Sequence, residues 1–383
     1  MHKVERVFHP IGQGAFYSER HYVNVEGQAK IFNMVYDCGN WRNTKASDKV
    51  VQRAFNKNYD IDILFISHFD FDHISKISTL KDQVKSIKKV IIPLLDNNEI
   101  DLLTSLYKAL GLRQNVVDLV SNPDSFFDDT TKVIKVEASD NHNEPDSNDD
   151  TTNLDDLNTN TLASGARLIL NNFSDWCFIP FNYKYSERNE RLKELLKSAG
   201  FDVSELENGN KETIESIVNK DKRKELKDIY DKLEGGINQN SMVLYSGPKS
   251  SNHSYDVFVS SFDFRGLRYC YPYYHRFFID DSNRPACVFT GDADFNKTKI
   301  KQVFSQFWDA VGTIQIPHHG DLKSFDSSVL GDRCYFCPIS VGKTNSYGHP
   351  STSLLAQIAA NRSVPILVTE DLTSGFIQII ERH

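Results

Sequence analysis

The sequence has few cysteines, no long apolar run and no excess of positive charge. Its six cysteines are scattered over 383 residues, so they do not resemble a disulfide framework, and we expect reduced thiols. No apolar stretch approaches the roughly 20 residues that cross a bilayer, which excludes an integral membrane protein. The first ten residues lack the apolar core of a secretory signal. These absences predict a cytoplasmic protein that makes no membrane contact.

Positive charge is also scarce, because 44 Lys and Arg stand against 52 Asp and Glu, for a net charge of −8. This balance excludes a generally basic nucleic-acid coat protein. Any contact with nucleic acid must therefore use a local basic patch or bound metal ions. Hydrophobic residues make up 39% of the chain, which is enough to bury a core and excludes global disorder.

Apolar runs bounded by turn residues predict strands along most of the chain. In the first third they alternate with helical patterns, which favours an α/β layered domain. The last two runs, 366–369 and 376–380, are separated by a short polar segment and predict a β-hairpin. The other predicted strands are 4–8, 31–36, 61–66, 90–95, 242–245, 257–260, 286–290, 313–316 and 335–341.

Two segments differ from this pattern. Residues 136–166 carry eight acids and no Lys or Arg, which predicts an acidic mobile loop over 138–163 that buries no apolar surface. An acidic interaction segment is the alternative for this stretch. Residues 185–235 have apolar positions at helical spacing and predict an insertion of two or three helices. This insertion could pack on the core, cover a cleft or bind a protein partner.

The strongest chemical signal directly follows the predicted strand 61–66. His68, Asp70, Asp72 and His73 place four potential metal ligands within six residues. Sites in α/β proteins usually lie where a buried strand ends, and a loop there can turn several side chains toward one point. A plain polar turn is the alternative, but it would not need two histidines and two carboxylates. The pattern therefore predicts a metal site.

Three later loops, each after a predicted strand, add Asp292, the pair His318-His319, and His349. Strand ends gather distant residues at one edge of a sheet, so four such loops in series predict one shared centre. The two oxygens of the Asp292 carboxylate could bridge two ions.

The segment His68-x-Asp70-x-Asp72-His73 resembles the HxDxDH metal motif of the metallo-β-lactamase fold. Six further motifs narrow the resemblance to the soluble hydrolase domain of the competence protein ComEC and its stand-alone relatives. The similarity covers roughly residues 7–95 and 236–381. Within it, the sequence departs from the family at Ile74-Ser75-Lys76, where the family has a glycine pair. The motifs, in chain order, are Ile11-Gly12-Gln13-Gly14, Tyr36-Asp37-Cys38-Gly39, residues 238–244, Thr290-Gly291-Asp292 with Pro317-His318-His319-Gly320, and residues 340–350.

The resemblance implies a single metallo-β-lactamase-fold domain over residues 1–383, built as a four-layer αββα sandwich with two metals at one sheet edge. Asp72 and His319 would be catalytic, with His319 facing the substrate as a phosphate contact or proton donor. Whether His318 or His319 is the ligand stays open. The implied ligands are His68, Asp70 and His318 for the first metal, Asp72, His73 and His349 for the second, and Asp292 as the bridge.

The implied activity is that of a metal-dependent phosphodiesterase, a nuclease acting on nucleic acid in a bacterial defence or DNA-processing system. Three carboxylates among the ligands favour Mn²⁺ or Mg²⁺, while the imidazole ligands suit Zn²⁺. We therefore expect Mn²⁺ or Zn²⁺, and Mg²⁺ is also compatible. One alternative is a hydrolase of a small phosphodiester or another ester. A second alternative is an inactive scaffold that acts as a binding module. Lys76, Lys323 and Lys343 are candidates for attracting phosphate, with solvation at the surface as their alternative role.

Overall fold

The protein is a mixed α/β structure with two large mixed sheets. Among the described residues, no helix is both long and apolar enough to cross a membrane. The predicted segments 140–150, 238–239 and 346–347 lie outside the described residues. The computed structural model describes residues 2–25, 27–42, 44–139, 151–170, 173–184, 186–217, 220–232, 240–250, 254–262, 268–270, 283–331, 333–345 and 348–383.

Each predicted apolar run overlaps a strand, but the structure also has strands that were not predicted, chiefly at 16–25 and within 132–184. The strands are β1 (His2–Phe8), β2 (Phe16–Val25), β3 (Gln28–Cys38), β4 (Asp60–Ile61), β5 (Ile63–Phe65), β6 (Ser86–Ile87), β7 (Lys89–Pro93), β8 (Lys132–Val136), β9 (Ala138–Ser139), β10 (Thr151–Asn153), β11 (Thr161–Leu162), β12 (Arg167–Leu170), β13 (Phe173–Lys184), β14 (Asn240–Pro248), β15 (Tyr255–Phe262), β16 (Arg268–Cys270), β17 (Ala286–Phe289), β18 (Val311–Ile314), β19 (Phe336–Ser340), β20 (Val364–Val368) and β21 (Phe376–Arg382).

Several helices begin at residues whose side chains cap the first turn. The longest in the first half, α4, starts at a capping box, in which the Asp96 carboxylate accepts from Glu99 N and the Glu99 carboxylate accepts from Asp96 N. The helices are α1 (Lys45–Ala54), α2 (Phe71–Ile74), α3 (Ile77–Gln83), α4 (Asn97–Ala109), α5 (Gln114–Ser121), α6 (Pro123–Phe126), α7 (Ser186–Ser198), α8 (Val203–Glu207), α9 (Lys211–Ile217), α10 (Lys220–Lys232), α11 (Phe295–Thr298), α12 (Ile300–Val303) and α13 (Thr352–Ala360).

Sheet 1 has the strand order β11-β8-β7-β5-β3-β2-β1-β21-β15-β16, and sheet 2 has the order β10-β12-β13-β14-β17-β18-β19-β20, with β9 beside β13. Strands β3, β5, β7 and β8 run parallel in sheet 1, as do β17, β18, β19 and β20 in sheet 2. The carboxyl ends within each parallel set therefore meet at one edge of their sheet.

The two sheets pack face to face through a cluster rich in aromatic rings. Phe8 and Tyr36 of sheet 1 meet Phe178 and Phe289 of sheet 2, and the rings of Tyr36 and Phe289 stack with centroids 5.1 Å apart. Side chains alternate along a strand, so neighbouring residues face the opposite side of each sheet. The inward faces thus form one continuous core between the sheets.

The outer face of each sheet is covered by helices. Leu64 and Val90 of sheet 1 pack in one apolar cluster with buried residues of α4 and α5. Val288 of sheet 2 packs in another with residues of α12 and α13, among them Ile300 and Leu354. Helices therefore lie on the side of each sheet that faces away from the other sheet.

A buried polar network crosses the core between the sheets. Arg6 Nε donates to Glu19 Oε1 at 2.6 Å, and Arg6 NH1 donates to Gln378 Oε1 at 3.0 Å. Ser246 of sheet 2 donates from Oγ to Glu19 Oε2 at 2.6 Å, and His21 Nε2 lies 3.1 Å from the same oxygen. Each charge in this network has partners, as burial requires.

The predicted C-terminal hairpin is wrong. The two apolar runs are the neighbouring strands β20 and β21, but β20 pairs with β19 in sheet 2, while β21 pairs with β1 and β15 in sheet 1. The short turn Leu372–Ser374 carries the chain from one sheet to the other.

The expectation that the acidic stretch buries no apolar surface is wrong for its described part. Strand β10 joins sheet 2 and β11 joins sheet 1. Leu154, Leu157 and Leu162 are buried in the cluster between the sheets. Three leucines thus anchor a stretch whose average composition is that of a solvated loop.

The predicted helical insertion is present as helices α7 to α10. Their apolar residues join the cluster on the outer face of sheet 1. Ser105 of α4 donates from Oγ to the carbonyl of Leu206 in α8 at 2.9 Å. Of the roles considered for this segment, the structure gives it packing on the core.

Candidate metal centre

The loop after β5 is tied to β3 by a buried aspartate. Ser67 N donates to Asp37 Oδ1 at 2.7 Å, and Ser67 Oγ donates to Asp37 Oδ2 at 2.6 Å. The carbonyl of Ser67 accepts from Met242 N of sheet 2 at 2.9 Å. The loop is therefore fixed to both sheets at the point where its ligand residues begin.

Asp37 and Ser67 also set which nitrogen each histidine offers. His73 Nδ1 donates to Asp37 Oδ2 at 2.8 Å. The hydroxyl hydrogen of Ser67 is already given to Asp37, so its oxygen accepts from His68 Nδ1 at 2.8 Å. Both imidazoles consequently present Nε2 as the free ligand atom, the arrangement common in metal-binding histidines.

Those two Nε2 atoms are buried, and neither makes a hydrogen bond within the described residues. Carboxylate oxygens stand nearby: Asp292 Oδ1 is 3.3 Å from His73 Nε2, and Asp292 Oδ2 is 3.6 Å from His68 Nε2. Asp70 Oδ2 lies 3.5 Å from His68 Nε2. Buried nitrogens without hydrogen-bond partners, facing carboxylates, form a donor set that fits a divalent cation.

Asp292 is held by the turn after β17. Gly291 has φ of +53°, and a Cβ there would lie 2.7 Å from the Cβ of Ser67, so the turn needs glycine. Gln315 Oε1 accepts from the backbone N of Thr290 and of Gly291, at 2.7 and 3.0 Å. Ser241 Oγ accepts from Asp292 N at 3.2 Å. This backbone clamp directs the carboxylate at the histidines of sheet 1.

The loop after β18 brings two further histidines to the centre. His318 Nδ1 lies 3.0 Å from Asp292 Oδ2. His319 Nδ1 donates to the carbonyl of Ser340 at 2.8 Å, and its Nε2 lies 2.8 Å from Asp72 Oδ2. Both histidines have positive φ, 50° and 54°, a backbone region that non-glycine residues rarely adopt.

Two overlapping groups have the spacing of metal ligands. One ligand atom from each of His68, His73 and Asp292 lies within 4.8 Å of the others, and the same holds for Asp72, His73 and His319. The groups share His73, so the structure brings predicted ligands of three separate loops into one cluster.

Asp70 and His349 lie at the margins of this cluster. Asp70 contacts it through His68. His349 is half-buried, and its ring centroid lies 6.0 Å from that of His318. The Asn345 side chain bonds the backbone of His349 on both sides, accepting from its N at 3.2 Å and donating to its carbonyl at 2.6 Å. All eight residues singled out in the sequence are therefore in or beside the cluster.

The charges of the cluster shift the pKa values of its groups. Burial and the charge of His73 lower the pKa of His68, but the carboxylates of Asp292 and Asp70 outweigh them and raise it to about 8. Burial also opposes the charge on His73, yet Asp292 and Asp37 hold its pKa well above the usual value. Burial raises the pKa of Asp292, but His73 and His318 bring it well below the ordinary range. The buried carboxylates thus make positive charge favourable at this point.

The glycines of two early motifs make room for the backbone of Asp72. A Cβ on Gly39 would lie 2.3 Å from the carbonyl oxygen of Asp72, and one on Gly14 would lie 2.8 Å from it. Ala15 N donates to the same oxygen at 3.2 Å. These positions hold the ligand loop in place through direct backbone contact.

Several residues that support the ligands were missed as functional from sequence: Asp37, Ser67, Ser241, Gln315 and Ser340. Asp37, Ser241 and Ser340 stand within the motifs named above, but the role of Asp37 depends on β3 lying beside β5, which the local sequence does not reveal.

The three candidate lysines are placed differently from one another. Lys76 is fully buried and donates to Asp48 Oδ1 at 2.5 Å, so it cannot attract a substrate phosphate. Lys343 pairs with Asp371 at 2.9 Å, and Lys323 is exposed.

No protein-family model and no curated protein matches this chain. The interpretation of the cluster therefore depends on its own residues and their geometry.

Proposed function

We propose that this protein is a metal-dependent phosphodiesterase that cleaves nucleic acid, built on the αββα sandwich of the metallo-β-lactamase fold. The observation that carries the proposal is the pair of overlapping ligand groups that meet at His73. The order of layers, with helices outside two facing sheets, and the position of the cluster at strand ends support the fold assignment.

The donor set suits two divalent ions. His68, His73 and Asp292 would hold one ion, and Asp72 and His319 would hold the other, with His73 close to both groups. The mixture of imidazole and carboxylate ligands suits Mn²⁺ or Zn²⁺, and Mg²⁺ is compatible. When bound, two such ions would neutralise the phosphate, lower the pKa of a water molecule and stabilise the departing oxygen.

Of the histidines in the loop after β18, one is assigned to the ligands and the other to contact with the substrate. His319 lies in one of the two ligand groups and its Nδ1 is held by the carbonyl of Ser340, so we assign it to the ligands. The His318 side chain retains 18% of its exposure, against 7% for His319, so we assign the phosphate contact to His318. Burial and the charge of His318 lower the pKa of His349.

The reaction joins a water oxygen to phosphorus and breaks one ester P–O bond, and a proton from water ends on the departing alcohol. His318 would orient the phosphate. The neighbouring histidines hold the carboxylates of Asp72 and Asp292 in ionised form.

The test is cleavage by the metal-loaded protein. With Mn²⁺ or Zn²⁺ we expect cleavage of single- or double-stranded DNA and of bis-p-nitrophenyl phosphate, and loss of both activities in Asp72→Asn and Asp292→Asn. Asp256→Asn, which changes an exposed acid paired with His383, is the matched control and should keep full activity.

Two outcomes would favour the alternatives. Hydrolysis of the small diester with intact polymers would support a hydrolase of small esters. If the protein binds no metal, and neither Asp72→Asn nor Asp292→Asn changes either activity, an inactive scaffold that binds a partner would be supported.

A further inference from the structure

Trp41 and Phe71 form an aromatic pair beside the metal centre. Phe71 stands between Asp70 and Asp72 in the chain, so its Cα is one peptide unit, about 3.8 Å, from the Cα of each. The Trp41 ring meets the Phe71 ring edge-on, with centroids 6.4 Å apart and planes at 83°. Both side chains are only half-buried, whereas Phe69 in the same loop is fully buried.

The pair is anchored to the backbone that positions the ligands. Trp41 N donates to the carbonyl of Gln13 at 2.7 Å. Two residues earlier, Gly39 lies directly against the backbone of Asp72. Phe71 packs at its base against the cluster on the outer face of sheet 1. The rings therefore have a fixed position relative to Asp72.

A cation stands next to this pair. Arg42 is exposed, and its NH2 donates to the carbonyl and to Oγ1 of Thr344, at 3.1 and 2.5 Å. Thr344 belongs to the loop that leads to His349. An exposed guanidinium, on the residue next to Trp41, thus connects this segment to the loop that leads to His349. It does so in a chain whose net charge of −8 supplies no general attraction for polyanions.

Aromatic side chains beside cations are the elements that bind single strands, because every base has a face that stacks and every link carries a negative charge. We propose that Trp41 and Phe71 stack one base of a single-stranded nucleic-acid substrate beside the scissile phosphate, while Arg42 binds a neighbouring phosphate. This inference rests on the proposed function and specifies its substrate class. A small alkyl diester would leave the rings without a partner.

The first test compares two diesters with the same leaving group, thymidine 5′-p-nitrophenyl phosphate and methyl p-nitrophenyl phosphate. We expect Trp41→Ala to raise KM for the thymidine diester about tenfold. KM and kcat for the methyl diester should stay within about twofold, as should metal content. Trp41→Phe keeps an aromatic ring that can stack on the base, so its KM for the thymidine diester should stay close to that of the unaltered protein.

Phe126→Ala is the matched control, since Phe126 is another half-buried aromatic residue, placed on α6 against Lys81. It should affect neither diester. Equal changes for both diesters in Trp41→Ala, or no change for either, would overturn the inference.

The second test needs no turnover. Binding of a short oligothymidylate is measured in the presence of a chelator, where we expect Trp41→Ala to weaken binding about tenfold. Arg42→Gln should lower the dependence of binding on salt. If the protein hydrolyses no diester but shows these binding effects, the proposed function fails and the base site stands. If it hydrolyses diesters and binding ignores Trp41, the base site fails alone.

Discussion

Nδ1 of His73 lies 2.8 Å from Oδ2 of Asp37, and this hydrogen bond aims Nε2 of His73 at Asp292. Through Ser67, the same carboxylate also orients His68. A single buried acid on β3 therefore fixes the two imidazoles on which the proposed centre depends.

Replacing Asp37 tests this dependence. Asparagine tolerates the φ of +55° at this position, so Asp37→Asn keeps the backbone and removes the charge. We expect metal affinity to fall about 10- to 100-fold, as for other partners of metal-binding histidines. Isothermal titration with Mn²⁺ and Zn²⁺ measures it. The surface pair of Asp256 and His383 supplies the control, since Asp256→Asn should leave affinity unchanged.

Gly39→Ala should damage the centre from the backbone side. The added methyl would lie 2.3 Å from the Asp72 carbonyl oxygen, which is backbone and cannot rotate away. We expect fewer metal ions per chain, measured by elemental analysis after metal loading, and a lower melting temperature. At Gly209 a Cβ meets no atom within 4 Å, so Gly209→Asn should change neither quantity. Normal metal content in Gly39→Ala would contradict the close contact.

Lys76→Met should weaken the fold without altering attraction for the substrate. Lys76 Nζ is buried and donates to Asp48 Oδ1 and to the carbonyl of Thr44. Asp48 keeps 31% of its exposure, so water can solvate it after the change, and we expect a loss of about 1–2 kcal/mol in urea unfolding. The salt dependence of KM for an oligonucleotide should match that of the unaltered protein. A weaker salt dependence would mean that Lys76 contacts phosphate.

Acid should destabilise the protein through buried neutral histidines. Burial, aided by the charge of Arg20, lowers the pKa of His9 to about 3, against 6.5 when unfolded. The folded pKa is the lower one, so the stability present above pH 6.5 is lost as pH falls toward 3. At pH 5.5 the loss from His9 is about 1.4 kcal/mol. Burial, with the charges of His21 and Arg382, lowers the pKa of His2 to about 3 in the same way.

Urea unfolding at pH 7.5 and pH 5.5 measures this effect. His9→Asn should reduce the difference between the two pH values by about 1.4 kcal/mol. The exposed His383 is the control, and His383→Asn should preserve the full difference. An unchanged difference in His9→Asn would mean that this ring takes up a proton without cost.

Glu19→Gln should be costly because it leaves Arg6 charged in the core. Burial raises the pKa of Glu19, but Arg6 and His21 reverse this and hold it at about 2, so the carboxylate is charged at all working pH values. Removing one partner of a buried pair costs about 3–5 kcal/mol. The surface pair of Lys3 and Glu381 provides the comparison, and Glu381→Gln should cost at most about 1 kcal/mol. Urea unfolding compares the two.

The loops that carry the candidate ligands could be located from sequence because their signal is local. Each loop follows an apolar run whose pattern alone predicts a strand. These loops carry His68, Asp72, Asp292 and His318. Asp37 could not be assigned in this way, since its partners lie 30 and 36 residues further along the chain and meet it only through the pairing of β3 with β5.

The sheet that each strand joins could not be predicted from sequence either. The runs that became β20 and β21 carry the local signal of a hairpin, but local sequence does not state which sheet edge each strand will join. The same reason explains the acidic stretch. Leu154 and Leu162 are too few to mark a strand by periodicity, and only the facing sheets give them a core to enter.

The left-handed backbone at His318 and His319 has a consequence for stability. Holding two consecutive non-glycine residues in that region costs about 1–2 kcal/mol each. Glycine at either position would relieve this backbone cost, while removing an imidazole and its hydrogen bonds from the centre. A protein with no use for these two imidazoles could avoid the strained backbone altogether, so the presence of both rings fits a centre that needs them.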